Sequence, residues 1–316
     1  MRAIEYDRYG PPDVLRLVEK PTPVAGPGQV LVEVHAAGVG GGEMPIRAGR
    51  LRRVVRGRLP RGIGNDFAGR VAGVGPGVQE FRPGDRVWGV MPHLRFGSTA
   101  EYVAVPVRLL ATAPANLDLV EAAALPTAGT TVLTALTKKV QLAAGDRLLV
   151  RGAAGGVGSV AVQLGRALGA HVTALAGARA LAWITELGAH EAYDYRTTAP
   201  ADLGRFDVVL DLVGTGLRAY RRLLTPRGRL IALVVDPDHL VRSVLSGAAP
   251  RTTSFSNNPS ADDLATLTRY AEQGAVRPVV DAVLPMAEAA QAHRRVEAGG
   301  LRGKIVLTTG RGGTVS

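Results

Sequence analysis

The chain has 316 residues, 46% hydrophobic and 21% charged, which is ordinary for a globular protein and long enough for two domains. It has no cysteine, which excludes disulfides, thiolate zinc sites, iron–sulfur clusters and a cysteine nucleophile, and fits a reducing, cytoplasmic setting. Only four of its 38 basic residues are lysine, and no aromatic residues interleave with the arginines as stacking platforms, so the net charge of +11 reads as arginine-rich composition rather than as a nucleic-acid face.

The N-terminus, MRAIEYDRYG, lacks the apolar core of a secretion signal. Six valine-rich strands follow: RAIEYD, LRLVE, QVLVEVHAAGV, FAGRVAGVG, DRVWGV and AEYVAV. Turns such as PTPVAGPG and RPGD separate them, the pattern of a small barrel or sandwich. Alternation in VLVEVHA predicts one buried face. Near residue 118 the pattern changes, and LDLVEAAALPTAGTTVLTALTKKV reads as one helix capped by Asp118. Strands then alternate with helices: RLLVRG, VGSVAVQLGRALG, HVTALA, ARALAWITELG, EAYDY, FDVVLDLVG, LRAYRRLL and RGRLIALVV. That alternation predicts a parallel, doubly wound sheet. ADDLATLTRYAEQG and MAEAAQAHRRVEAGG read as helices, and KIVLTT as a final strand returning to the first domain. The strongest apolar run, VVLDLVG, is interrupted by Asp211 and is too short to span a membrane.

The stretch RLLVRGAAGGVGSVAVQLGRALGA carries the most chemistry. A strand runs into Gly152, Gly155, Gly156 and Gly158, and a helix starts at once. Glycines there let the backbone approach a pyrophosphate, while the helix N-terminus offers free N–H groups and a positive dipole end. The second strand ends ALAGARAL, with Arg179 and no acid. A carboxylate would bind ribose hydroxyls and repel a 2′-phosphate, whereas an arginine pairs with that phosphate, so NADP(H) is the expected cofactor.

Together these residues resemble the medium-chain dehydrogenase/reductase superfamily, in its zinc-independent quinone oxidoreductase branch. The resemblance runs through GQVLVEVHAAGV (Gly28 to Val39), IRAG (Ile46 to Gly49), GNDFAG (Gly64 to Gly69) and FRPGDRVWG (Phe81 to Gly89). It continues through AEYVAV, AAALPTAGTT, the AAGGVG loop, DYR (Asp194 to Arg196) and RGKIVL (Arg302 to Leu307). It implies an α/β protein, with a GroES-like β-rich catalytic domain at residues 1–118 and 259–316 around a Rossmann doubly wound parallel-sheet domain at 119–258. Cofactor and substrate are expected in the cleft between them, in a homodimer or homotetramer that moves hydride from NADPH to an enone or quinone. Some zinc-free relatives resembling zeta-crystallin bind nucleic acid, and a non-redox use of the cleft is the other alternative.

Zinc-dependent relatives have a cysteine after AAGV and Gly-His-Glu where this chain has Gly64-Asn65-Asp66; Gly40 and Asn65 replace two ligands, and no metal is expected. By the same resemblance Gly155, Gly156, Val157 and Gly158 hold the pyrophosphate, and Thr131 lies near it or the nicotinamide. Arg179 and Tyr195 lie near the 2′-phosphate. Val213, Gly214 and Val234 end the later strands, where a nicotinamide rests. Lys304 follows the family as a cofactor contact or an ion-pair partner. Many relatives place Asn after AAGV and some a Tyr five residues on; Gly40 and Pro45 stand there, so the proton donor is displaced or missing. The catalytic candidates are Glu43, Arg47 and His93: Glu43 as a proton relay or a structural carboxylate paired with Arg47, and His93 as a group titrating near neutrality. Gly40, Gly41, Gly42, Asn65, Phe96, Phe255 and Asn257 are expected to line a widened substrate pocket.

Overall fold

The computed structural model describes residues 1–52, 55, 57–233 and 251–311. It divides into two compact units: Met1–Thr130 with Asn258–Gly274 and Pro278–Ser316, and Thr131–Asn257 with Ala275–Arg277.

The first unit opens with β1 (Arg2–Tyr6), β2 (Arg16–Glu19), β3 (Gln29–Val39), α1 (Glu43–Arg47), β4 (Arg61–Gly62), β5 (Asp66–Val74), β6 (Arg86–Val90), β7 (Tyr102–Pro106) and β8 (Leu110–Thr112). On β3, Val30, Val32 and Val34 are buried against Phe67, Val87, Val103 and Val105, as period-two alternation requires. The helix expected from Asp118 onward is broken. Asp118 does cap α2 (Leu119–Ala122), its carboxylate accepting the Glu121 N–H, but α3 (Pro126–Leu133) starts afresh at Pro126. Proline has no N–H to give the Ala122 carbonyl, so one continuous helix cannot form there. Beyond α3 the chain continues in wider π-turns over Thr134–Lys139.

The second unit carries β9 (Arg147–Arg151), α4 (Gly156–Ala167), β10 (His171–Ala176), α5 (Leu181–Leu187), β11 (Glu191–Asp194), β12 (Phe206–Asp211), α6 (Leu217–Arg221), β13 (Leu224–Ala232) and β14 (Thr252–Thr253). Among the described residues these strands form one sheet in the order β11-β10-β9-β12-β13-β14, all parallel. That is the doubly wound order, and it reverses between β9 and β12. Leu148, Leu149 and Val150 are fully buried, since helices cover both faces of such a sheet.

The chain then returns to the first unit through α7 (Ala261–Glu272), β15 (Val280–Pro285), α8 (Ala289–Ala298) and β16 (Lys304–Thr308). β16 pairs antiparallel with β3, giving the order β15-β16-β3-β5-β6-β8 with β7 also on β3; β2, β1 and β4 make a smaller sheet. No helix among the described residues is long and apolar enough to cross a membrane.

Candidate functional site

In the second unit the Gly152–Gly158 stretch links β9 to α4. Gly152 turns with φ +77°, and its N–H and that of Ala153 both donate to the Leu175 carbonyl at 3.1 Å. Gly155 is the N-cap of the 12-residue α4 and brings no side-chain cap. The first intrahelical bond is Ser159 N–H to the Gly155 carbonyl, at 2.8 Å, so the N–H groups of Gly156, Val157 and Gly158 have no acceptor within the helix. A methyl on Gly155 would meet nothing nearer than the Gly152 oxygen at 3.7 Å, whereas one on Gly158 would lie 2.2 Å from that oxygen. The first glycine leaves room for a ligand and the second lets the helix pack. An open, uncapped helix start of this kind suits a pyrophosphate.

The end of β10 is positively charged. Arg179 sits exposed on the short turn Ala178–Ala180 after Gly177. Ala176 pairs in register with Asp194 of β11, and the Tyr195 N–H donates to the Ala176 carbonyl at 3.1 Å. A Cβ on Gly177 would lie 3.8 Å from the Tyr195 ring, and the Arg196 guanidinium lies 5.2 Å from the centroid of that ring. Arg179 thus stands on the turn that leaves β10, and Tyr195 and Arg196 on the turn that leaves the neighbouring β11. The acid on the neighbouring strand, Asp194, uses Oδ1 to accept the Arg196 N–H at 3.1 Å. Elsewhere in this unit Thr131 is buried on α3, Lys139 lies over the Phe255 ring at 5.6 Å, and Thr134 Oγ1 lies 3.4 Å from Asn257 Oδ1. Val213 is exposed and Gly214 buried at the end of β12; Val234 lies outside the described residues.

In the first unit the glycine turn 40–42 leads into α1. Glu43 is buried, and its carboxylate accepts N–H groups from both sides: Gly40 at 2.9 Å and Gly64 at 2.8 Å. Burial pushes this carboxyl up, opposed by those two N–H groups and by the Lys304 cation. Glu43 is not paired with Arg47. Arg47 is buried and pairs instead with Glu297 of α8, while its Nε and Nη1 have no hydrogen-bond partner. The reason is directional: on a five-residue helix the carboxylate at the first position folds back onto free N–H groups, and the arginine at the last position points away. His293 of α8 is fully buried with both ring nitrogens unpartnered; burial, with the Arg47 cation adding, pulls it down to about 3.

A second polar group lies behind the turn. Lys304 and Asp66 form a buried ion pair, Asp66 Oδ1 accepts the Thr127 N–H at 2.7 Å, and Asn65 Nδ2 donates to Thr127 Oγ1 at 2.8 Å. Burial pulls the Lys304 ammonium down to about 8, against the pull of Glu43. The ion-pair reading of Lys304 describes this contact with Asp66. A methyl on Gly41 or Gly42 would meet nothing within 4 Å, and one on Gly40 only Glu43 Oε1 at 3.3 Å. His93 is exposed on its loop, and Phe96 packs against Ile46, Leu51 and Val55. Glu297 and Thr127 are not singled out by the sequence because each meets its partners only through distant pairings of the chain, and His293 because its burial is set by the packing of α8.

The fold and cradle define a dinucleotide-binding oxidoreductase. Residues 26–115 match the alcohol dehydrogenase GroES-like domain and residues 187–307 the domain described as zinc-binding dehydrogenase. A chloroplast envelope quinone oxidoreductase homolog of Arabidopsis thaliana is 31% identical over 97% of this chain and 98% of its own. An NADPH-dependent alkenal/one oxidoreductase from the chloroplast of the same plant is 33% identical, covering 97% of this chain and 79% of its own. The solved quinone oxidoreductase of Coxiella burnetii superposes with a TM-score of 0.89 at 31% identity, covering 98% of this chain and 99% of its own. The chain belongs to the medium-chain dehydrogenase/reductase superfamily, in the quinone- and enone-reductase-like branch.

Proposed function

We propose that this protein is an NADPH-dependent oxidoreductase that reduces quinones or the activated double bond of enones, without a catalytic zinc. The observation that carries the cofactor choice is the group at the end of β10: Arg179, Tyr195 and Arg196 stand there, and the nearest strand-end acid is engaged by its own loop. The substrate class follows the relatives named for quinones and alkenals.

When bound, NADPH supplies the hydride, which goes to the β-carbon of an enone or to a quinone carbon. The N-terminus of α4 holds the pyrophosphate and orients it. Glu43 is assigned to fixing the glycine turn, because its carboxylate already binds two N–H groups, and Arg47 to tying that turn to α8. Gly40 to Gly42 offer open space in place of a side-chain acid, so solvent supplies the proton that completes the reduction. Gly40 cannot ligate zinc, and Asn65 spends its amide on Thr127. The protein is read as a cytoplasmic homodimer or homotetramer, which light scattering on the purified protein checks.

The test is loss of the near-ultraviolet absorbance of NADPH with a panel of quinones and enones, and with NADH for comparison. Turnover with NADPH, insensitive to chelators and weakened by Arg179→Ala, is expected. NADPH binding without turnover on any acceptor refutes the reductase, and a preference for NADH refutes the role of Arg179.

A further inference from the structure

We propose that Asp211 is a positioning residue for nucleotide binding: its side-chain oxygen fixes the strand-end loop that borders the phosphate cradle, and Arg151 serves only to neutralise the buried charge. The proposal rests on the NADPH reading above. Arg151 ends β9, Asp211 ends β12, and the two are direct neighbours in the parallel pairing of those strands. This is where the strand order reverses, the point at which open parallel sheets meet their ligands.

Both side chains are buried and paired with each other. Leu149, two residues before Arg151, belongs to an apolar layer with Val209, Tyr220 and Leu223. Strand alternation sends Arg151 to the same face, and the Tyr220 ring covers its guanidinium at 3.5 Å. A buried ion pair adds little stability over apolar side chains of the same volume, so its presence calls for another use.

The carboxylate supplies that use. Asp211 Oδ1 accepts the N–H of Val213 at 2.9 Å and of Gly214 at 2.6 Å, and the Leu212 N–H donates to the Arg151 carbonyl at 3.3 Å. The chain turns tightly, with Gly214 at φ +82°. The turn lies against the first glycine of the cradle: a Cβ on Gly152 would sit 3.3 Å from Val213 Cγ2 and 3.4 Å from Leu212 Cβ. Val213 is left 45% exposed, an apolar surface held at the strand end. Arg151 neutralises the buried carboxylate, and the carboxylate oxygen fixes the loop.

The experiment compares two doubly substituted proteins with wild type. R151M/D211N and R151M/D211A both remove the ion pair, but only the first keeps an oxygen for the two N–H groups. NADPH affinity is read by fluorescence titration, and amide exchange at Val213 and Gly214 is read on the nucleotide-free proteins. R151M/D211N is expected to bind within about threefold of wild type and to keep both amides protected; R151M/D211A is expected to bind about tenfold or more weakly, with faster exchange. Equal affinity and exchange in the two overturn the proposal. If R151M/D211A does not fold, R151M/D211N decides alone: a folded protein that loses about tenfold or more shows that Arg151 acts by charge, which also overturns it. If wild type and variants alike fail to bind NADPH, the cofactor reading fails and takes the proposal with it; wild-type binding with unchanged variants refutes the proposal alone.

Discussion

Gly158→Ala and Gly155→Ala separate packing from ligand binding within one loop. The Cβ of Gly158→Ala would lie 2.2 Å from the Gly152 oxygen and 2.7 Å from the Ala153 Cα. Both obstacles are backbone, which cannot rotate aside as a side chain can. To restore ordinary contact the helix start must retreat by about 1 Å from a close-packed sheet. That places the cost near the top of the overpacking range, about 2–3 kcal/mol. At roughly 2–4 °C per kcal/mol for chains of this size, Tm falls by about 5–10 °C. The Cβ of Gly155→Ala would meet only the Gly152 oxygen, at 3.7 Å, and Gly155 has φ −78°, which any residue adopts. Its Tm is expected within about 2 °C of wild type. Its methyl, however, occupies the approach to the free N–H groups, so NADPH affinity is expected to fall about tenfold or more. Thermal denaturation and NADPH titration of the two variants give the answer. A Gly158→Ala protein as stable as wild type refutes the close packing, and undiminished NADPH binding by Gly155→Ala refutes the cradle.

His293→Leu is expected to flatten the acid limb of stability: a folded pKa of about 3 against the ordinary 6.5 means the native state binds fewer protons across that window, so stability is lost as pH falls through it. The loss is about 3–5 kcal/mol for wild type at the acid end, read by denaturant unfolding at several pH values; an equally steep limb in the variant refutes it. Glu297→Ala is expected to cost about 2–3 kcal/mol because it strands a buried guanidinium, short of the range for fully buried pairs since Glu297 is 36% exposed. Arg47→Met leaves only that solvated carboxylate and is expected to cost less; the reverse ranking in chemical denaturation refutes the account. Gly38→Ala would press on the Ala123 oxygen at 2.6 Å and Asp66 Oδ2 at 3.0 Å, and is expected to destabilise by about 1–3 kcal/mol. Gly41→Ala and Gly42→Ala meet nothing and are expected to leave Tm unchanged; a loss there comparable to Gly38→Ala in the same thermal scan refutes the open turn.

What the sequence made legible is what is local. The strand–glycine–helix turn before α4 could be read because its parts lie in one short run, so spacing and residue type carry the geometry between them. The alternation of β3 was legible for the same reason, since period two is a property of consecutive residues. The break between α2 and α3 was also local, but apolar periodicity continues through Pro126, and the pattern outweighed the missing N–H.

Glu43 and Arg47 show where such reading stops. Four residues apart, they suggest a pair on one helical face, and on a long helix that spacing is favourable. Here the helix has only five residues, so both are terminal. At the first position free N–H groups outcompete a distant guanidinium, because Gly40 and Gly64 already point two donors at the carboxylate. Arg47, left without its expected partner, is neutralised by Glu297, 250 positions away, which reaches it only because α8 packs in the first unit. Arg151 and Asp211 are the same case: 60 positions apart, they become neighbours through the parallel register of β9 and β12. A buried charge must find its opposite somewhere, and burial is decided by the whole fold, so the partner of a buried charge is the part of a site that local sequence carries least.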